Sequence, residues 1–293
     1  GDTSNMNAQA INSTSKTKPA LAVLLAFGLC GSVEAHQTYL ISDLYELMPG
    51  TDNWLTLNNG TYHESGYSIT RKMSRDISIV MGGERKTPPD NEVSDVDSNP
   101  NYKSTFIKVL AETEGTGLGG VAANPDYIAL PEIMFSDYLE HEGMTEALAE
   151  FNANNTLKTI RERYTKHAKG IFQVGKPLTD DYKHSLGYKV EIFVEQNPGT
   201  VNVGDDMTLQ VLYEGKPLSN QSVYVSYASR EVPENADIPD LSAYTLRTDE
   251  NGRATFKITQ KDKWYIQLIH MQKIEDEDAD YESNWSTITF EIK

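Results

Sequence analysis

Between residues 197 and 293 the sequence is cut into short alternating runs separated by turn residues, and few folds accept that pattern. Thr208–Tyr213 alternates in polarity and stops at Glu214-Gly215, which leads into Lys216-Pro217-Leu218. Ser222–Ala228 alternates again, with Val223, Val225 and Tyr227 on one face. Asn251-Gly252 is a strong hairpin signal and precedes Ala254–Ile258. Trp264–Met271 and Ser286–Ile292 complete the set. Each such strand has one apolar face, and two sheets stacked face to face bury those faces together. The spacing predicts a β-sandwich over residues 188–293.

The first part, residues 36–176, is less regular. Thr38–Ser42, Trp54–Leu57, Tyr67–Thr70, Ile77–Val80 and Thr105–Leu110 read as strands. The run 87–101 is rich in Pro, Asp, Asn and Ser and reads as a solvated loop. Phe135, Tyr138, Leu139 and Leu148 fit one helical face, and Leu157, Ile160, Tyr164, Ala168 and Ile171 fit another. The expectation is mainly β: an N-terminal sandwich with a helical insertion over about 135–171, a linker at 177–187, and the second sandwich.

Lys16 and Lys18 precede an apolar stretch, Ala20–Leu29, and Val33-Glu34-Ala35 follows. This is the pattern of an export signal cut after Ala35. The stretch is about ten residues, against roughly 20 for a membrane span. A periplasmic protein that is not integral to the membrane is expected. Cys30, the only cysteine, lies within the export segment. The part after Ala35 therefore has no disulfide and no thiolate ligand, which leaves imidazole, carboxylate and backbone nitrogen for any metal. The net charge of −17 excludes nucleic acid as a partner, since phosphate binding needs a basic face.

Gly115-Thr-Gly117-Leu-Gly-Gly120 spells G-x-G-x-x-G, but Pro125 blocks the helix a dinucleotide site requires, so a flexible loop is expected. Asp95-Val-Asp97-Ser-Asn99 begins like a calcium loop and has Pro100 where glycine is needed. The acidic run from Asp276 to Glu282 reads as a solvated loop. No nucleophile elbow or H-E-x-x-H helix is present, and no turnover is expected.

Cleavage after Ala35 would make His36 the first residue, offering its α-amine and its ring to one metal. The second bond of such a chelate costs little ordering entropy. His63, just past the Trp54–Leu57 strand, is the natural further ligand. His270 is a third candidate, either a core-edge residue or a ligand contributed across the two domains. A nitrogen-rich set suits Ni(II), Co(II) or Cu(II). His167 is expected in the core, His141 near a helix bend, and His184 solvated in the linker.

Several segments carry a family resemblance: Ala35–Leu40, Phe135–Met144, Arg161–Lys169 with Val174-Gly175, Gly215–Leu218, Thr248–Phe256, His270-Met271 and Tyr281–Phe290. The chain resembles an exported family of domains of unknown function described as a periplasmic component of nickel/cobalt uptake. Its second half is also similar to transthyretin-like and immunoglobulin-like modules. The resemblance implies a non-catalytic protein that binds nickel or cobalt and serves a membrane transporter, with His36 and then His63 as ligands. In nickel-binding uptake components of that kind the histidine is the second residue. Here it would be first, an amine-plus-ring brace more typical of copper. Two alternatives stand beside this one, a copper oxidative enzyme built on the brace and a metal-free adhesion or scaffold module.

Overall fold

A ten-stranded sheet runs through the molecule and carries the other layers on its two faces. The structure, a computed structural model, describes residues 36–293; the expected leader, residues 1–35, lies outside the described residues. The sheet order is Tyr244–Arg247, Ser222–Tyr227, Asp262–Lys273, Tyr281–Ile292, Thr159–Val174, Gly115–Ala123, Ser74–Met81 and Glu84–Lys86, with Asp126–Pro131 and Glu46–Leu47 also paired to Thr159–Val174. A four-stranded sheet made of Val190–Val194, Asp206–Tyr213, Lys216–Pro217 and Arg253–Lys257 covers one face. Val190, Ile192, Leu209 and Val211 meet Trp264, Ile266, Leu268, Ile288 and Ile171 there. The opposite face carries a five-stranded sheet of Gln37–Ile41, Asp52–Gly60, Ser65–Tyr67, Val93–Asp97 and Lys103–Leu110. Leu40, Leu55, Leu57 and Ile107 pack there on Val121, Ala168 and Phe172. Beside it, two helices, Glu132–His141 and Thr145–Asn154, bury Phe135, Leu139 and Phe151 against Ile160, Tyr281 and Trp285.

The mainly β, layered expectation is met. The Glu214-Gly215 turn is a two-residue hairpin between paired Tyr213 and Lys216, with both φ angles positive. Asn251-Gly252 does something else. The strand before it belongs to the ten-stranded sheet and the strand after it to the four-stranded sheet, so the turn is a corner between layers.

Several expectations are corrected. The helical insertion ends at Asn154, and Thr159–Val174 is a strand of 16 residues. Its parallel pairing with Tyr281–Ile292 and antiparallel pairing with Gly115–Ala123 place it inside the sheet, covered on both faces. A strand buried on both sides loses the simple alternation of apolar and polar residues. The glycine run 115–120 is not a loop: Gly115–Ala123 is a buried central strand. A Cβ on Gly119 would collide with Leu55 and Leu40, and one on Gly120 with Leu186, so bare backbone lets the layers close on both faces. The run 87–101 contains the edge strand Val93–Asp97.

The segment 177–187 is not an open linker. Tyr182 and Leu186 are buried in the core under the four-stranded sheet. Glu191 anchors its end, accepting from Ser185 Oγ at 2.7 Å and from the backbone N–H groups of Leu186, Gly187 and Tyr188 at 3.0, 2.7 and 3.2 Å. The ten-stranded sheet crosses the expected boundary at the pairs Glu162↔Tyr281 through Gly170↔Thr289.

Candidate functional site

Gln37–Ile41 runs antiparallel to Asp52–Gly60, with Gln37 opposite Gly60, so His36 lies at the strand end. The paired strand turns through Thr61–Glu64, where Thr61 N–H donates to the Glu64 carbonyl at 3.0 Å, and returns as Ser65–Tyr67. The His36 ring packs on that return strand, 4.3 Å from the Tyr67 ring centre, and a Cβ on Gly66 would be 3.5 Å from its Cε1. His63 stands exposed in the same turn, edge-on to Tyr62 at 5.5 Å. The register thus brings His36 and the hairpin carrying His63 to one end of the five-stranded sheet. Burial, reinforced by the nearby Lys166 ammonium, lowers the His36 ring to about 4 and keeps it neutral at physiological pH.

His270 is elsewhere. It follows Trp264, Ile266 and Leu268 on the face that meets the four-stranded sheet, and its ring lies 4.9 Å from that of Tyr213. Its Nδ1 pairs with Gln221 Oε1 at 2.9 Å and its Nε2 with Gln272 Nε2 at 2.6 Å. Donation from Nδ1–H and acceptance at Nε2 fit one neutral tautomer, and burial, with Lys189 second, lowers the ring to about 4. The expectation that His270 joins His36 and His63 is therefore corrected: the ten-stranded sheet lies between them. The other histidines fall as expected. His167 is buried, with Nδ1 3.0 Å from the Trp285 carbonyl; His141 pairs with Asp237 at 2.9 Å; His184 is exposed. The acidic loop is charge-matched, because Arg163 pairs with Asp276 and Glu282 and Arg161 with Asp280.

A second group of residues is not apparent from helical periodicity. Glu162 and Lys166 project from Thr159–Val174 toward the face that carries the helices and the five-stranded sheet. Glu162 accepts from Tyr138 Oη at 3.2 Å and from Ser283 Oγ. Lys166 Nζ donates to the His36 carbonyl and to Asn59 Oδ1 at 3.1 Å, and lies 5.0 Å from the Trp285 ring centre. Glu142, at the end of the first helix, is 3% exposed, and its Oε1 is buried with no hydrogen-bond partner among the described residues. Burial raises Glu142 to about 8 and Glu162 to about 7, and lowers Lys166 to about 8. Shifted groups gathered in one place make a candidate functional site. The available signal was parity: Ile160, Glu162, Lys166 and Ala168 share one face of a strand, so the charges line up with core residues.

A family model for a domain of unknown function, DUF4198, matches residues 33–272. The chain belongs to the DUF4198 family. The match takes in His36, His63, His270 and the Glu142–Glu162–Lys166 group. No curated protein matches the sequence. Among solved structures, the D0-D1 domain of intimin is 15% identical, with a TM-score of 0.20, over 87% of this chain and 97% of that one. Bovine butyrophilin is 10% identical, with a TM-score of 0.21, over 89% and 100%. Superposition at that level carries no functional argument for this DUF4198 chain, whose β-sandwich character rests on its own sheets. Among its described residues no helix is long and apolar enough to cross a membrane.

Proposed function

We propose that this protein is an exported, non-catalytic carrier of a divalent transition metal, nickel or cobalt first and copper as the alternative, held by His36 and His63 and passed to a membrane transporter. The observation that carries this reading is the register Gln37↔Gly60, which sets His36 against the hairpin bearing His63. The donor set fits such a metal. A neutral imidazole has a lone pair to give, and burial keeps the His36 ring neutral. Export would add the α-amine of His36. Among the described residues no three His, Cys, Asp or Glu side chains are grouped to hold a metal, so amine, backbone and water would complete the shell. His270, committed to two amide hydrogen bonds, is left out.

The test is calorimetric titration of protein beginning at His36 with Ni(II), Co(II) and Cu(II). His36→Ala should abolish binding. His63→Ala should weaken it by about tenfold or more, about 1.4 kcal/mol. Equal binding by His36→Ala would remove the proposal. The metal-free scaffold would then be favoured, with the exposed Trp54 and Tyr67, on the same sheet, as the surface to mutate.

A further inference from the structure

A cavity of about 620 Å³ opens where one end of the four-stranded sheet meets the ten-stranded sheet. That volume lies within the roughly 300–1,000 Å³ of small-molecule sites. Thr165 and Asn284 belong to its lining and are directly paired across the parallel strands Thr159–Val174 and Tyr281–Ile292. Asn284 shares strand parity with Ile288 and Phe290, which pack under the four-stranded sheet, while Tyr281 and Trp285 take the opposite face. Asn284 is 3% exposed, and neither its amide nor the Thr165 hydroxyl makes a hydrogen bond among the described residues. The Asn284 amide is nevertheless not sealed off, and the little surface it keeps opens on this cavity. A buried amide without a protein partner is costly unless water or a ligand satisfies it. The charges around the cavity are matched with one exception. Glu191 is held by Lys169 and its hydroxyl and backbone donors, and Glu282 by Arg163 and Lys189. Glu214 stands at the rim, 3.8 Å from Lys189. Arg75 lines the cavity with no counter-ion among the described residues. It is the extra residue of a β-bulge between the pairs Ser74↔Ala123 and Asp76↔Ala122, and a bulge re-aims the side chain it carries. Burial chiefly lowers the ring of His167, the next residue after Thr165 on that face, and Arg75 adds to the shift, so its charge reaches the cavity floor.

We propose that this cavity binds a small hydroxylated carboxylate, with the carboxylate on the Arg75 guanidinium and hydroxyl groups on the Asn284 amide and the Thr165 hydroxyl. A guanidinium presents a planar fork that matches one carboxylate. One unmatched positive charge suits one negative charge, and Glu214 and Glu282 in the wall oppose a more highly charged anion. An amide and a hydroxyl both donate and accept, as the hydroxyls of a sugar-like acid do. Neighbouring strands stand about 4.8 Å apart, so one small molecule spans both residues. The cavity lies on the face that meets the four-stranded sheet, away from His36, and needs no metal there.

The experiment is an NMR titration of the metal-free full chain with D-gluconate and D-glucuronate, with D-glucose as the neutral counterpart and acetate as a bare carboxylate. The two hydroxy acids should give saturable shifts at the Thr165 backbone amide and the Asn284 side-chain amide. Glucose and acetate should bind about tenfold more weakly or not at all. Arg75→Gln, at an exposed position, should weaken binding of the acids by about tenfold or more and bring them level with glucose. Asn284→Ala and the near-isosteric Thr165→Val should weaken the acids as well, and thermal melts establish that each variant is folded. Failure to saturate, equal affinity in Arg75→Gln, or equal affinity in both Asn284→Ala and Thr165→Val would each overturn the proposal. Acetate binding as tightly as the hydroxy acids, an adventitious ion only, would overturn it too.

Discussion

Glu142 and Glu162 give the protein an unusual pH dependence. Their ordinary value is 4.5, and burial raises them to about 8 and about 7 in the fold. The folded state holds these protons more tightly, so the stabilisation is fully present below about 4.5 and is lost as pH rises through 7 and 8. His36, His167 and His270, lowered to about 4, work the other way: their contribution is full above 6.5 and lost as pH falls through 4. From 6.5 to 8 the carboxyls dominate, partly offset by Lys166, which burial lowers to about 8 and whose contribution grows as pH rises. Denaturant unfolding should show stability falling by about 2 kcal/mol across it, with Glu142→Gln removing most of that fall. A second residue-scale prediction concerns Lys169 and Glu191, both buried and 3.3 Å apart. Glu191→Ala strands the ammonium and four donors and should cost about 3–5 kcal/mol. Lys169→Met leaves Glu191 with its hydroxyl and backbone donors and should cost clearly less in the same measurement.

At the scale of elements, the strand Thr159–Val174 shows how one pattern can fit two structures. Ile160, Tyr164, Ala168 and Ile171 match a helical face. Three of them also share strand parity, while Ile171 points into the other core. A strand with both faces covered carries apolar and paired polar residues on each, so periodicity alone could not choose. The choice was made by nine parallel partners on Tyr281–Ile292. Where one face is solvated or the turn is chemically specific, as at Thr208–Tyr213 and Glu214-Gly215, the reading from residues held. The glycines of Gly115–Ala123 were legible as glycines but not as packing residues, because what they admit comes from distant segments. Gly117→Ala puts a methyl into Met81 and Phe172, 2.5 Å from the Phe172 ring, and should lower stability by about 1–3 kcal/mol in thermal or denaturant melts.

For the whole molecule, the continuous sheet has a mechanical consequence. Residues 188–293 alone would expose one long edge of Tyr281–Ile292, and residues 36–176 alone would expose the matching edge of Thr159–Val174. Unpaired edges of that length drive association. Each piece expressed separately should aggregate or give a poorly dispersed NMR spectrum, while residues 36–293 should melt in one calorimetric transition. Two well-folded fragments would contradict this. The sequence by itself determined the β class, the turn at Glu214-Gly215, the acidic charge and the lack of cysteine beyond residue 35. All of these depend on local chemistry or on strands adjacent in the chain. Tertiary structure alone decided that 159–174 is a strand, that 177–187 is pinned, that His270 faces away from His36, and that Glu142 is buried beside Glu162 and Lys166. Each of those depends on which distant segment lies alongside, and the pattern of one segment cannot name its neighbour.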